Sequence, residues 1–558
     1  MGEQKNLLTA FILSAVVIFG FQYFYGSPKT ALPPIENVAA ENTAPQSSAT
    51  PTAQTSNPVV KQVTRTEALH SSQRITINTP KLGGSLNLTG GRIDDVVLKH
   101  YNETTDKNSA HVKLFSPEPT ENPHYAEFGW ITNQKNIDVP NSTTVWQSSS
   151  KELTVDTPAI LRWSNAQGVT FERKISVDKD YLFTVNDRIV NESGQHLHIF
   201  PYALIARGGD LPDGTFVMHE GPIGVVDTKL KTLDYSDLKK DQKVEYPSCY
   251  AWLGFTDKYW LSAIIPSKAH KVKGRFIHDG KKFQSDFVGE EKHCEGNSCI
   301  ESTFHLFAGA KIVELLDQYE GQLGAAKFDL AVDFGWFYFI TKPTFYVLTA
   351  INDFVKNFGI SILILTILFK LALFPLANKS FRSMNRMKAL QPEMKKLQER
   401  YADDKVKMNQ ELMGLYKKEG VNPLSGCLPM IIQAPILFAL YKVLYISIEM
   451  RHAPFIGWIK DLSAPDPTSI FNLFGLIPFD PPSFLMLGIL PLILGLSMFV
   501  QQKMSPAPAD PAQAKVMLMM PIMFTFMLAQ FPAGLVIYWI WSNLLSILQQ
   551  WYMAKAHA

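Results

Sequence analysis

Between Phe358 and Trp551 the sequence carries five apolar segments, roughly 358–377, 424–446, 483–501, 516–530 and 533–551. Helices of about 20 apolar residues cross a hydrocarbon core about 30 Å thick, and in lipid the backbone must satisfy its own hydrogen bonds. This part of the chain is therefore expected to be a bundle of spanning α-helices. A sixth apolar run, Leu7 to Tyr25, follows Lys5. The Gly-Ser-Pro-Lys after it is a poor cleavage site, so it reads as an uncleaved anchor (residues 1–26), with a signal peptide as the other reading. No internal repeat is visible, which argues against an inverted-repeat transporter.

The rest of the 558 residues reads differently. Residues 27–72 are rich in Pro, Ala, Ser, Thr, Asn and Gln and bury too little to offset ordering entropy, so a flexible linker is expected. From 73 to 320 the apolar period is close to two. Arg74–Asn78 and Ser85–Thr89 alternate, Lys271–Phe276 less cleanly, with Gly, Asn, Asp and Pro between runs. That predicts a large antiparallel β-sandwich. Ala310–Tyr319 has helical spacing and should close that domain. Residues 321–357 are aromatic-rich but carry Asp333, Lys342 and Pro343, which predicts an amphipathic helix lying at the headgroup level.

With 53 basic and 51 acidic residues the chain lacks the basic excess of a general nucleic-acid binder. Charge is uneven locally. Between Lys379 and Lys418 there are eleven Lys or Arg and five Asp or Glu. The positive-inside rule places this loop in the cytoplasm, the β domain outside, and, with six spans, both termini in the cytoplasm. Four cysteines do not make a disulfide framework. Cys294 and Cys299 are either bridged or two free thiols.

Several polar residues interrupt the apolar runs. Lys370 lies twelve residues beyond Phe358, about 18 Å along a helix. Facing lipid at mid-depth it would cost roughly 2.5–3.5 kcal/mol, so it either faces protein or water, or snorkels to the headgroups. Thr366 is one turn earlier on the same face. Gln433, Gln502, Tyr538, Trp539, Ser542 and Asn543 sit in other spans, and read either as interhelical glue or, with Lys370, as the lining of a wet groove. Segment 516–530 is short, about 22 Å, and would thin the bilayer, or simply form a hairpin through Phe531-Pro532-Ala533-Gly534. In the loop 379–420, Met384, Met387, Leu390, Met394, Leu397 and Tyr401, then Met408, Leu412, Leu415 and Tyr416, recur at helical spacing. A helical hairpin is expected, with Arg382, Arg386, Lys395, Lys396 and Arg400 on a basic face. It either docks partners through adaptable methionines or packs on itself. No phosphate loop, zinc spacing or nucleophile elbow appears. His196 and His198 share a strand face, a weak signal for metal without a third ligand.

In order, Asn422-Pro423-Leu424-Ser425-Gly426-Cys427-Leu428-Pro429, Gln433-Ala434-Pro435, Gln502-Lys503-Met504-Ser505-Pro506 and Phe531-Pro532-Ala533-Gly534-Leu535-Val536-Ile537-Tyr538-Trp539 resemble the YidC/Oxa/Alb insertase family over about 330–552. The anchor, linker and β domain resemble its Gram-negative form. The resemblance implies a bacterial inner-membrane protein with an insertase core at 358–552: five helices around a hydrophilic groove open to the cytoplasm and to lipid. With the anchor that gives six transmembrane helices and an all-β periplasmic supersandwich. Lys370 stands where relatives often carry arginine; lysine keeps the charge and loses the guanidinium fork. Thr366 matches a groove threonine, and Tyr538 and Trp539 match two aromatics that touch the substrate. Leu437, Phe438 and Phe526 would form a greasy slide. The implied partners are nascent membrane proteins, the ribosome and signal recognition pathway, the Sec translocon and the lipid bilayer, with no direct nucleic-acid recognition. No enzyme activity, nucleotide, cofactor or metal is implied. The competing readings are a membrane-anchored carbohydrate-binding protein or enzyme acting through the β domain, and a small-solute transporter.

Overall fold

A computed structural model describes residues 62–211, 213–214, 218–249, 251–267, 271–401, 404–420, 428–473, 477, 487–504 and 511–556. The expected anchor, linker residues 27–61, Asp403, Asn422 to Cys427, the first residues of segment 483–501 and Ser505-Pro506 lie outside this set. The chain divides at Asp333/Phe334 into a β unit and a helical unit.

The β unit has two sheets. The first runs, in spatial order, Lys243–Cys249, Val272–His278, Lys282–Gly289, Leu197–Gly208, His124–Thr132, Arg92–Asn102, Leu82–Asn87, Arg74–Asn78 and Glu152–Leu153. His111–Phe115 and Lys292–Cys294 pair onto it off this path. The second runs Lys229–Thr232, Gly221–Val226, Ala251–Thr256, Trp260–Pro266, Ser298–Ala310, Leu182–Asn191, Val169–Val177, Ala159–Ser164 and Gln147–Ser148. Alternation sets the inner faces. In Val169–Val177 the odd positions 169, 171, 173, 175 and 177 are all buried. Trp130, Tyr125, Trp252 and Phe171 fill the interior.

One of those inward positions is Arg173, 1% exposed. Its guanidinium donates to both carboxylate oxygens of Asp187, at 2.6 and 3.0 Å, to the Gly91 carbonyl at 3.1 Å and to the Phe128 carbonyl. It also stacks over Trp146 at 4.9 Å. Arg173 and Asp187 belong to the second sheet and Phe128 to the first, so this group ties the layers together. Gly91 has φ +60°, and a Cβ there would meet the guanidinium and the Trp146 indole at 3.0 Å. Glycine meets both demands. Cys294 and Cys299 are free thiols, the first buried and the second exposed.

Two boundaries differ from expectation. Residues 65–70 form helix α1 (Arg65–His70) rather than linker, because Thr64 and Glu67 make a reciprocal capping box and Arg65 pairs with Asp95. After α2 (Tyr235–Asp241), the closing helix α3 is Val313–Leu323, not Ala310–Tyr319. Ala308 to Ala310 stay paired with Ser262 to Trp260, and the helix runs on until Gly324 turns left-handed at φ 69°.

The helical unit opens with α4 (Tyr338–Val355), within the expected interfacial segment. It buries Thr341, Thr344, Phe345 and Leu348 and exposes Phe339, Val347 and Phe354. Then follow α5 (Phe358–Ala389), α6 (Gln391–Arg400), α7 (Lys405–Lys418), α8 (Leu428–Ile446), α9 (Ile489–Met504), α10 (Pro511–Leu528) and α11 (Ala533–Ala556). Only α5 among the described helices is long and apolar enough by itself to cross a bilayer; Gln433–Ile446, Ile489–Met504 and Lys515–Leu528 are shorter apolar helices. The 32 residues of α5 continue through Pro375 well past the expected end at 377. So the first arm of the expected hairpin in 379–420 is split: Met384 and Met387 ride on α5, and the chain breaks at Leu390, before Pro392. The packed pair is α6 with α7, where Met394 and Leu412 are buried and the Tyr416 hydroxyl donates to Met394 Sδ at 3.7 Å. Helix α10 has 18 residues, about 27 Å, so the expected 22 Å shortness holds only for its apolar part.

The connection from α8 to α9 is fastened across the starts of three helices. Asn357 at the start of α5 donates to the Phe455 carbonyl at 3.3 Å. Ala533 and Gly534, opening α11, donate to the carbonyls of Ala464 and Leu462 at 2.8 and 3.0 Å. The Asp466 carboxylate accepts from the amide of Leu490 in α9 at 2.8 Å and from Trp458 Nε1 at 3.1 Å. The bonds from Leu490, Ala533 and Gly534 satisfy backbone amides that a helix start leaves unpaired.

Candidate functional site

Lys370 is the centre of a network that links α5, α8 and α11. Its Nζ donates to Ser546 Oγ at 2.7 Å and to Gln433 Oε1 at 3.3 Å. Gln433 Nε2 in turn donates to Ser542 Oγ at 2.6 Å and to the Tyr538 hydroxyl at 3.5 Å. The local sequence sets this up: Tyr538, Ser542 and Ser546 are spaced four apart and so lie on one face of α11. Thr366, one turn before Lys370, is buried and donates to the Ile362 carbonyl at 2.6 Å.

These groups line a cavity of about 470 Å³. Thr366, Lys370, Gln433, Gln502, Tyr538, Trp539, Ser542 and Asn543 all border it, as does Leu437. The polar residues picked out of separate apolar segments thus converge on one cleft. Its remaining walls are apolar, with Phe369, Leu373, Met498, Met517 and Phe524 among them. No carboxylate is among the described residues that line it, and Lys370 is their one charged side chain. The described partners of its ammonium group are amide and hydroxyl oxygens, with no carboxylate from the lining beside it.

Not every expected residue belongs to it. Asn543 borders the cleft but spends its amide on Ser497 of α9 at 2.9 Å, which is interhelical bonding of the ordinary kind. Phe438 does not line the cavity; it is 56% exposed and stacks on Phe337, ring centroids 6.4 Å apart. Phe526 is 55% exposed and also lies off the cavity wall. The residue missed is Ser546, although its i+4 spacing from Ser542 carried the signal. Gln549 was missed as well; it borders the cleft and donates to Asn378 of α5 at 2.8 Å. Arg382, Arg386, Lys395, Lys396 and Arg400 are all exposed, and Met387 is half-buried.

An apolar helical bundle that keeps a lysine, amides and hydroxyls inside a cleft, preceded by a two-sheet β domain, points to a membrane protein built around a polar recess. The profile of the 60Kd inner membrane protein family matches residues 350–558, and that of the YidC periplasmic domain matches 74–347. The chain is 47% identical over 558 residues to the membrane protein insertase YidC of Rickettsia rickettsii (strain Iowa), covering 99% of both chains. The YidC insertase of Rickettsia massiliae (strain Mtu5) is also 47% identical, again over 99% of both. The solved structure of an active YidC insertase, with its first transmembrane domain resolved, is 16% identical and covers 86% of this chain and 93% of that one, with a TM-score of 0.37. The chain belongs to the YidC family of membrane protein insertases. Its β unit is the family's periplasmic domain and its helical unit the inner-membrane part.

Proposed function

We propose that this chain moves hydrophobic segments of newly made proteins into the inner membrane by receiving them, with their polar flanks, in the cleft around Lys370. The observation that carries this is the placement of Lys370 Nζ, held by Gln433 and Ser546 in a cleft lined by no described carboxylate. It attracts acidic residues in a translocating tail. The hydroxyls and amides of Ser542, Tyr538 and Gln433 replace water around that tail, while the apolar walls accept the adjoining helix. Lipid exposure of Phe438 and Phe526 fits a path by which that helix leaves.

The basic residues of α6 and the end of α5 favour the cytoplasmic side for that end of the bundle. On that orientation the α8–α9 connection faces the periplasm, the chain spans six times, and both termini are cytoplasmic. The exposed face of Arg382, Arg386, Lys395, Lys396 and Arg400 suits ribosomes and signal-recognition components, and the lipid-facing helices suit the Sec translocon.

Site-specific crosslinking from Thr366, Phe438 and Trp539 to a ribosome-bound nascent membrane protein tests the reading. Crosslinks from all three that shift as the nascent chain lengthens support it. Their absence in correctly inserted protein would reduce the cleft to interhelical bonding.

A further inference from the structure

We propose that His198, Glu291 and His293 form a binding site for a divalent transition metal of the zinc class on the surface of the β unit, separate from the cleft. His198 and His293 stand directly opposite each other where strand Leu197–Gly208 pairs antiparallel with Lys292–Cys294. The backbone of His198 is turned away from that partner: its amide donates to Gln134 Oε1 and its carbonyl accepts from Thr132 Oγ1, both at 2.8 Å. The two histidines therefore form a non-hydrogen-bonded pair, the type whose Cα atoms approach to about 4.5 Å and whose side chains lie closest. Glu291 precedes His293 by two residues and so shares its face. Lys292 between them serves elsewhere, its Nζ donating to the Glu301 carbonyl at 2.6 Å.

The result is a three-donor group. His198 Nδ1 lies 2.9 Å from Glu291 Oε1, and the two imidazoles meet edge to face with centroids 4.8 Å apart. One donor atom from each residue lies within 4.8 Å of the other two. Bonds of about 2.0–2.1 Å in a tetrahedral site need donors about 3.3 Å apart, so closure takes a shift of roughly 1 to 1.5 Å. These side chains are free to make it, with 45% of His198 and 41% of Glu291 exposed. A plain histidine–glutamate ion pair uses one ring; the opposed second ring is what adds chelation. Two imidazoles and one carboxylate select zinc, cobalt, nickel or copper over calcium or magnesium. Water completes the coordination at this open surface. His196, which shares a strand face with His198, takes no part: His198 is joined instead by residues almost a hundred positions later. A bound ion would clip the short strand Lys292–Cys294 to the sheet.

The test is calorimetric titration of Zn²⁺ into the tag-free full chain in detergent micelles, with Co²⁺ absorption as a reporter of coordination. One saturable Zn²⁺ site per chain is expected. His198→Ala and His293→Ala should each weaken it by at least about tenfold, the loss typical even of an outer-sphere partner, and abolish the visible Co²⁺ bands. His196→Ala should bind as the unaltered chain does, and metal-free thermal unfolding should confirm that all variants fold. Absence of saturable binding, affinity in His198→Ala and His293→Ala unchanged from the unaltered chain, or loss of binding in His196→Ala would overturn the assignment.

Discussion

Lys370 Nζ and Ser546 Oγ are 2.7 Å apart, joining α5 to α11 across 176 positions of sequence. The lysine is thereby held within the cleft. Reversing its charge reverses what the cleft attracts. Two unit charges 4 Å apart interact by about 1 kcal/mol even in bulk water, so the change of sign is worth about 2 kcal/mol or more. Lys370→Glu should slow insertion of substrates with acidic translocated tails by more than about tenfold and spare neutral tails. Protease protection of the tail measures this; equal insertion of both classes would refute the role of charge.

Gln433 serves Lys370 through its oxygen and Ser542 through its nitrogen. Gln433→Leu removes these bonds and the longer one to the Tyr538 hydroxyl at once. A loss of about 1–3 kcal/mol is expected from the partners left unsatisfied, read as a lower melting temperature in detergent. Ser542→Ala should cost less, because the lysine keeps both acceptors.

In the β unit, Asp187→Ala strands the buried guanidinium of Arg173. Removing one member of a buried pair typically costs about 3–5 kcal/mol. The β unit should therefore unfold at markedly lower urea concentration, while Arg188→Ala on the exposed neighbouring position should change little. Circular dichroism of the β signal follows both.

His124 is fully enclosed by Phe115, Phe255 and Ser262, and burial, reinforced by Arg207, holds its pKa well below the usual 6.5. Below pH 6.5 the unfolded chain takes up a proton that the folded chain refuses. Stability should therefore fall as pH drops through that value, by up to about 1.4 kcal/mol per pH unit for this one group. His124→Gln should flatten this part of the profile, and the difference between the two urea midpoints against pH is the measurement.

The cleft was legible in sequence because polar groups in apolar helices are costly and rare. Lys370, Gln433 and Ser542 each stood out alone. Their convergence was not legible, since no single helix says which neighbours its polar face meets. Phe438 and Phe526 show the same limit from the other side: an apolar residue in a span reads alike whether it faces a groove or lipid. Arg173 was legible and overlooked, for it occupies an inward position in the strict alternation of Val169–Val177. Helix α5 outran its expected end because Pro375 weakens one turn without ending a helix that has packing on both sides of it. The six-residue helix α1 was hidden by composition, although Thr64 and Glu67 spelled out its cap.

The α8–α9 connection, bonded to the starts of α5, α9 and α11, also has an electrical consequence. On the proposed orientation it is a stopper at the periplasmic end of a recess that water enters from the other side. The membrane voltage then falls mainly across the stopper instead of across the whole bilayer. A charge moving from the cytoplasm to the level of Lys370 crosses less than half of the membrane's thickness and a still smaller share of its field. The work of about 2.3 kcal/mol per charge per 100 mV is reserved for the last step, past Leu462 and Ala464. An acidic tail paused beside Lys370 would thus stand at the threshold of nearly the entire voltage, so the field acts as a driving force at release rather than at entry.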